Sequence, residues 1–275
     1  MRFLNVRLLV LPALASLVLP VRADILYADQ FKNIEFTQTG NSSTTFQQSF
    51  FSSSLYETGA GDYSSVTLTC THGTACGGQT LTQQVSPDNE FLYQTPGLPS
   101  THDMNQMFRQ GTYTLTTNTG ATTSYSYTAN DYSHTPRVTD YSSLQDSDSA
   151  DNLVFDLNAF GKTGDATDSY IFFTIYDETS GTYVFTDNFL PDTTTKIVVP
   201  GDTLSPGDTF EYQLDYSNRV LVAETNSVFD AQLGFDKRTD GIFTTTVPEP
   251  ASFILLATVL LGIGFVCRRR FVLAR

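Results

Sequence analysis

No tryptophan occurs anywhere in this chain, and histidine and cysteine appear only three times each. Without tryptophan, a specialised carbohydrate-binding module loses its strongest usual contact. The histidines, His72, His102 and His134, lie in loop-like stretches, and none stands four residues from another. No His-Glu-x-x-His pattern exists for a metalloprotease, and no Gly-x-Ser-x-Gly elbow offers a hydrolase serine. They read as solvent-exposed loop residues, and the chain as a non-enzyme. Basic residues are also scarce: 15 Lys and Arg stand against 29 Asp and Glu. Residues 24–246 keep eight of those bases and 28 of the acids, a balance near −20. Phosphate binding needs clustered Lys and Arg, so nucleic acid is excluded as a partner. The acidity favours solubility, repulsion from anionic surfaces and diffuse binding of divalent cations.

Long apolar runs are confined to the two ends. At the first, Arg2 and Arg7 precede an apolar stretch from Leu8 to Leu19, and Val21 and Ala23 occupy the −3 and −1 positions. Residues 1–23 thus read as a secretory signal peptide cleaved between Ala23 and Asp24. The stretch is too short to cross a hydrocarbon core of roughly 30 Å, and no cysteine follows the cut to take a lipid anchor.

The other end carries Pro248-Glu249-Pro250, an apolar run over 251–267, and then Arg268-Arg269-Arg270. The arginine triplet stays cytoplasmic and leaves residues 24–246 outside. The run falls somewhat short of the ~20 residues of a spanning helix. It suits a transient stop, with a tilted permanent anchor as the rival reading. These three parts, in this order and spacing, resemble the tripartite tail of bacterial PEP-CTERM proteins. The resemblance implies processing near Pro248-Glu249-Pro250 by an exosortase, a membrane protease-transpeptidase. It also implies membrane attachment through the tail before processing, and a place at the cell surface or in an exopolysaccharide matrix.

In an oxidising exterior Cys70 and Cys76 are expected to form a small-loop disulfide, with Cys267 left in the tail. A metal site using Cys70, His72 and Cys76 is the rival, but it lacks the fourth ligand a structural zinc wants. Asp146, Asp148 and Asp151 raise calcium as a possible ion. An EF-hand, however, would need glycine and glutamate where Asp151 and Leu157 stand. Leu98-Pro99-Ser100-Thr101 mimics a sortase motif and reads as a proline-containing loop. The sequon at Asn41 says little in a chain with bacterial sorting signals.

The rest is rich in Thr, Ser, Tyr and Phe, residues that suit strands. Period-two alternation predicts strands over 65–70, 111–120 and 123–128, and a richer central one over 169–177. Ser180-Gly181 turns the chain into a strand over 182–187. Further strands are expected over 194–199, 209–216, 229–235 and 242–246, and no helix is expected. This rhythm argues for an all-β protein of two β-sandwich domains, 24–134 and 135–246, divided near Ser133 to Pro136. Leu204-Ser-Pro206-Gly207-Asp-Thr-Phe210 resembles the turn that enters the penultimate strand of fibronectin type III domains. It departs at Phe210, where that family has tyrosine. Tyr125, Tyr127 and Tyr132 form the candidate glycan face, since same-face tyrosines can stack sugar rings. They can equally pack into the core or across an interdomain seam.

Overall fold

The computed structural model describes residues 25–57, 63–75, 77–84, 90–162, 164, 166–222 and 230–246. In chain order the first half gives β1 (Ile25–Gly40), β2 (Ser43–Glu57), β3 (Val66–Cys70), β4 (Gln79–Gln84) and β5 (Glu90–Gln94). It continues with α1 (Thr101–Met107), β6 (Gly111–Thr117) and β7 (Thr122–Tyr127). The second half gives α2 (Tyr141–Leu144), β8 (Ser147–Asp148), β9 (Leu153–Asp156), β10 (Asp168–Asp177) and β11 (Thr182–Pro191). It closes with β12 (Lys196–Val199), β13 (Thr209–Val222) and β14 (Asp230–Thr246).

Hydrogen bonding links these strands in the order β11-β10-β13-β14-β1-β2-β5-β4-β3-β6-β7, with β9 and β12 in a separate pair. β1 and β14 run parallel, in register from Tyr27 with Asp230 to Gln38 with Gly241. The other ladders on the path are antiparallel. A parallel pair cannot be joined by a hairpin, and here the whole body is the crossover. The first and last strands therefore meet at the centre and make one sheet of both halves.

Alternation puts one face of this sheet inside. In the first half β3, β6 and β7 fold over β1 and β2, a sandwich closed by aromatic contacts. Phe51 and Phe108 stack at 3.9 Å, and Tyr127 meets Phe235 edge-on at 5.3 Å. In the second half the β9–β12 pair covers β10, β13 and β14, with Phe155 set against Phe173, Tyr212 and Phe243. Two core clusters result. The first takes Leu233 and Phe235 from β14, while Phe243 of the same strand lies in the second.

The segment between β7 and α2, where the domain boundary was expected, packs against the sheet. Asp131, Ser133, Pro136 and Val138 are buried, and inward side chains of the sheet take up its backbone groups. Asn218 donates to the Asp131 carbonyl (2.6 Å), Lys237 to Ser133 (2.8 Å) and Thr239 to Pro136 (2.7 Å). Gln38 donates to the Val138 carbonyl at 2.6 Å and accepts from its N–H at 2.9 Å. Buried backbone needs such partners.

The expected strands appear, with two differences. Residues 230–235 and 242–246 belong to one long strand, β14, and β1, β2, β4, β5 and the short β8 were not anticipated. The expectation of no helix fails at α1. Ser100 caps it, accepting from the Asp103 N–H at 3.1 Å and donating to its carboxylate at 2.6 Å. Met104 and Phe108, four apart and both fully buried, dock it on the first core. The turn through Pro206 and Gly207 does enter β13, and Phe210 is buried against Phe243 at 5.5 Å.

Candidate functional site

The tail residues expected to direct sorting, Pro248, Glu249 and Pro250, Arg268, Arg269 and Arg270, and residues 1–23, lie outside the described residues. So does Cys76, and with it the expected disulfide to Cys70 at the end of β3. Among the described residues no helix is long and apolar enough to cross a membrane.

The tyrosines correct the sequence reading. Tyr125 and Tyr127 do share a face, but both are 2% exposed and belong to the first core. Tyr132 is half-buried and packs edge-on to Phe235 at 5.3 Å. The core alternative is the one the structure adopts, because the β7 alternation points toward β1 and β14. No sugar can stack on Tyr125 or Tyr127. At the aspartate loop, Asp148 accepts from the Ala150 N–H at 2.9 Å. Among the described residues no three His, Cys, Asp or Glu groups gather to hold a metal. His102 and His134 are exposed, as is His72.

A cleft of ≈410 Å³ opens beside α1. Its floor is Lys32 of β1, and its walls are Asn105 and Gln106 of α1, Arg109 and Gln110 just after it, His72 beyond β3 and Asn130 beyond β7. The close approach of these segments depends on two glycines. A Cβ on Gly73 would strike the Met107 carbonyl, and one on Gly111 would strike Thr71 and the His72 ring. Both have positive φ, 126° and 147°, where side chains are disfavoured. The loop after β3 also docks on the end of α1, Thr74 and Ala75 donating to the Gln106 and Met107 carbonyls at 3.3 Å. The Tyr113 hydroxyl holds the Arg109 carbonyl at 2.6 Å.

Lys32 is the unusual member, because its side chain is fully buried. Its Nζ donates to Asn105 Oδ1 at 3.2 Å and Asn130 Oδ1 at 3.0 Å, with the Tyr127 ring centroid 4.9 Å away. No carboxylate faces it, and desolvation alone lowers its pKa to about 8. Among the described residues no acidic side chain lines the cleft. Sequence reasoning singled out His72 only, and as an exposed loop residue. One signal for α1 was available, Ser100 followed by Asp103 and then Met104, Met107 and Phe108 at helical spacing. None announced Lys32.

The opposite face of the sheet collects buried acids instead. Burial and the nearby Glu90 push Asp29 up to about 7. Asp215 and Asp236, on adjacent strands, are also pushed up by burial, Asp236 to about 6. Arg219 lies over the rings of Phe31, Tyr170 and Phe172 at 5.3–5.7 Å. This face offers charge and aromatic packing.

Cleft and fold together define an all-β protein with a polar, cationic cleft among its described residues. The family model described as "PEP-CTERM protein-sorting motif" matches residues 246–270. That match marks a chain that is exported, anchored by its C-terminus and processed by an exosortase. No curated protein matches the chain. Among solved structures it is similar to the crystal structure of chicken CNTN1 FN1-FN3 domains, at 9% identity and a TM-score of 0.26. That similarity covers 78% of this chain and 65% of the other. The fold rests on the strands and cores described above.

Proposed function

We propose that this protein is a non-enzymatic component of the bacterial surface or extracellular matrix, associated with exopolysaccharide. The observation that carries the reading is a sorting motif placed directly after an all-β body. A second reading, a glycan-binding module, draws on the polar cleft. Against the hydrolase reading, the described residues lining the cleft include no carboxylate. The two cores are proposed to correspond to two units, 24–134 and 135–246, and Cys70 and Cys76 to be bonded in the mature form.

Processing supplies the test. Proline at 248 and 250 removes two amide donors and holds the peptide extended, so a protease meets it presented just outside the membrane. Intact mass of the surface form should show a chain ending near residues 247–250. Replacing Glu249 should trap the full-length chain in the membrane, and deleting Arg268, Arg269 and Arg270 should release or mislocalise it. A surface form that retains residues 251–275 would establish the permanent anchor instead. Fractionation of the matrix should find the processed form with the polysaccharide, and its absence there would defeat the matrix assignment.

A further inference from the structure

We infer that the cleft over Lys32 binds an acidic sugar unit, its carboxylate held at Arg109 and by the amides of Asn105 and Asn130. The sugar part rests on the matrix reading above, whereas the anionic part rests on the cleft alone.

The charge argument comes first. In a body with eight bases and 28 acids, two of the bases meet at this cleft, and among the described residues no acid lines it. A buried ammonium is ordinarily paired with a carboxylate. Lys32 meets only two amide oxygens and an aromatic face. Because Asn105 and Asn130 turn their oxygens to Lys32, their NH2 groups remain as donors, backed by the ammonium beneath. An anion above them would complete the charge that the protein leaves uncompensated. Arg109 is exposed beside them; its Nη2 donates to Gln106, and its remaining N–H donors keep the planar fork that suits a carboxylate. Lys32 then acts as a positioning residue, working through the two amides.

The body of the ligand follows from the walls. Asn105, Gln106, Gln110 and Asn130 are amides, which can both donate and accept, as a hydroxylated molecule requires. Apolar ligands prefer pockets lined mainly by hydrophobic side chains, and this one is not. The ≈410 Å³ volume lies within the range that holds small molecules.

Titration calorimetry on the full chain in detergent, at low salt, tests this with glucuronate, glucose, acetate and inorganic phosphate. Glucuronate should bind, with glucose, acetate and phosphate each weaker by about tenfold or more. Arg109→Gln and Lys32→Met should each weaken glucuronate by about tenfold while circular dichroism shows the fold intact. The ionisable groups at the cleft are Lys32, Arg109 and His72, and the Tyr127 phenol that faces Lys32 from β7 is held neutral by burial. Wild-type affinity should fall as pH rises through about 8, where Lys32 loses its proton, and Lys32→Met should lack that step. Glucose binding as tightly would make this a neutral-sugar site, and acetate or phosphate binding as tightly would make it a simple anion site. Either result overturns the assignment, as do no glucuronate binding and unchanged affinity in both variants. The processing experiment reads the tail and not the cleft, so the two readings fail separately.

Discussion

Lys32→Met should make this protein more stable at neutral pH, although the substitution deletes two hydrogen bonds from a buried side chain. The pKa of Lys32 falls from 10.5 to about 8 through burial alone. At 1.36 kcal/mol per pKa unit, holding the charged form inside costs about 3 kcal/mol. Methionine keeps the packing of the stem and removes that cost. A pKa shift is already net of what the charged form gains from the Tyr127 ring, Asn105 and Asn130, so methionine forfeits only what a neutral amine would keep there, about 1–2 kcal/mol. Those two amides border the cleft and can turn to water. The balance is a gain of about 1–2 kcal/mol, or roughly 2–8 °C in Tm for a body of this size. The pH dependence has a fixed sign. Below pH 8 lysine is charged in both folded and unfolded chains, so its full cost is present. Between about 8 and 10.5 the folded state loses its proton first, and the wild type recovers. Urea unfolding of both proteins at several pH values measures the gap, which should close over that window. A Lys32→Met protein less stable by about 1 kcal/mol or more at pH 7, or a gap flat in pH, refutes the reasoning.

Two further outcomes are expected. Asp29 is 8% exposed with its pKa raised to about 7, so it takes up a proton more readily folded than unfolded. Stability should therefore rise as pH falls from about 7 toward 4, and Asp29→Asn should flatten that rise in thermal melts. A non-reduced digest should show Cys70 joined to Cys76. Cys76→Ala should then lower stability by less than the ~3 kcal/mol of a fifteen-residue loop; two free thiols would end the proposal.

Much of the fold was legible because most strands obey simple alternation. β6, β7 and β10 place Tyr113, Leu115, Tyr125, Tyr127, Ile171, Phe173 and Ile175 inward, and their period of two is visible at once. β1 and β2 were opaque for a physical reason. The inward positions of β1 hold Gln30, Lys32 and Gln38, all at 1% exposure or less, while Phe31 lies on the other face. Ala28, Ile34 and Phe36 share that face, so amides and an ammonium interrupt the apolar stripe that would otherwise be read. The tyrosine face shows the opposite limit. Its shared side was correct, but alternation does not say which side is inside. The cleft was invisible because its residues come from β1, α1 and three loops. No local spacing relates Lys32 to Asn105 or Asn130, and only the docking of α1 on the first core brings them together.

The inward lysine of β14 gives the sharpest control on these arguments. Lys237 sits on the same face of the same sheet as Lys32, and burial lowers its pKa too. Its Nζ, however, donates to the Ser133 carbonyl at 2.8 Å and lies over the Tyr132 ring at 5.6 Å. Ser133 is 3% exposed, so that carbonyl has no ready access to water. Lys237→Met would relieve the ammonium but orphan the carbonyl, at about 1–3 kcal/mol, and also lose the ring contact, at about 1 kcal/mol. The expected result is a loss of about 1–2 kcal/mol in urea unfolding at pH 7, opposite in sign to Lys32→Met. The difference lies in what each ammonium meets. Lys237 closes a backbone group of the segment that joins the two halves, whereas Lys32 meets side-chain amides at the edge of an open cleft. If both substitutions shift stability in the same direction, Lys32 is one more structural lysine, and the cleft above it loses its claim to a ligand.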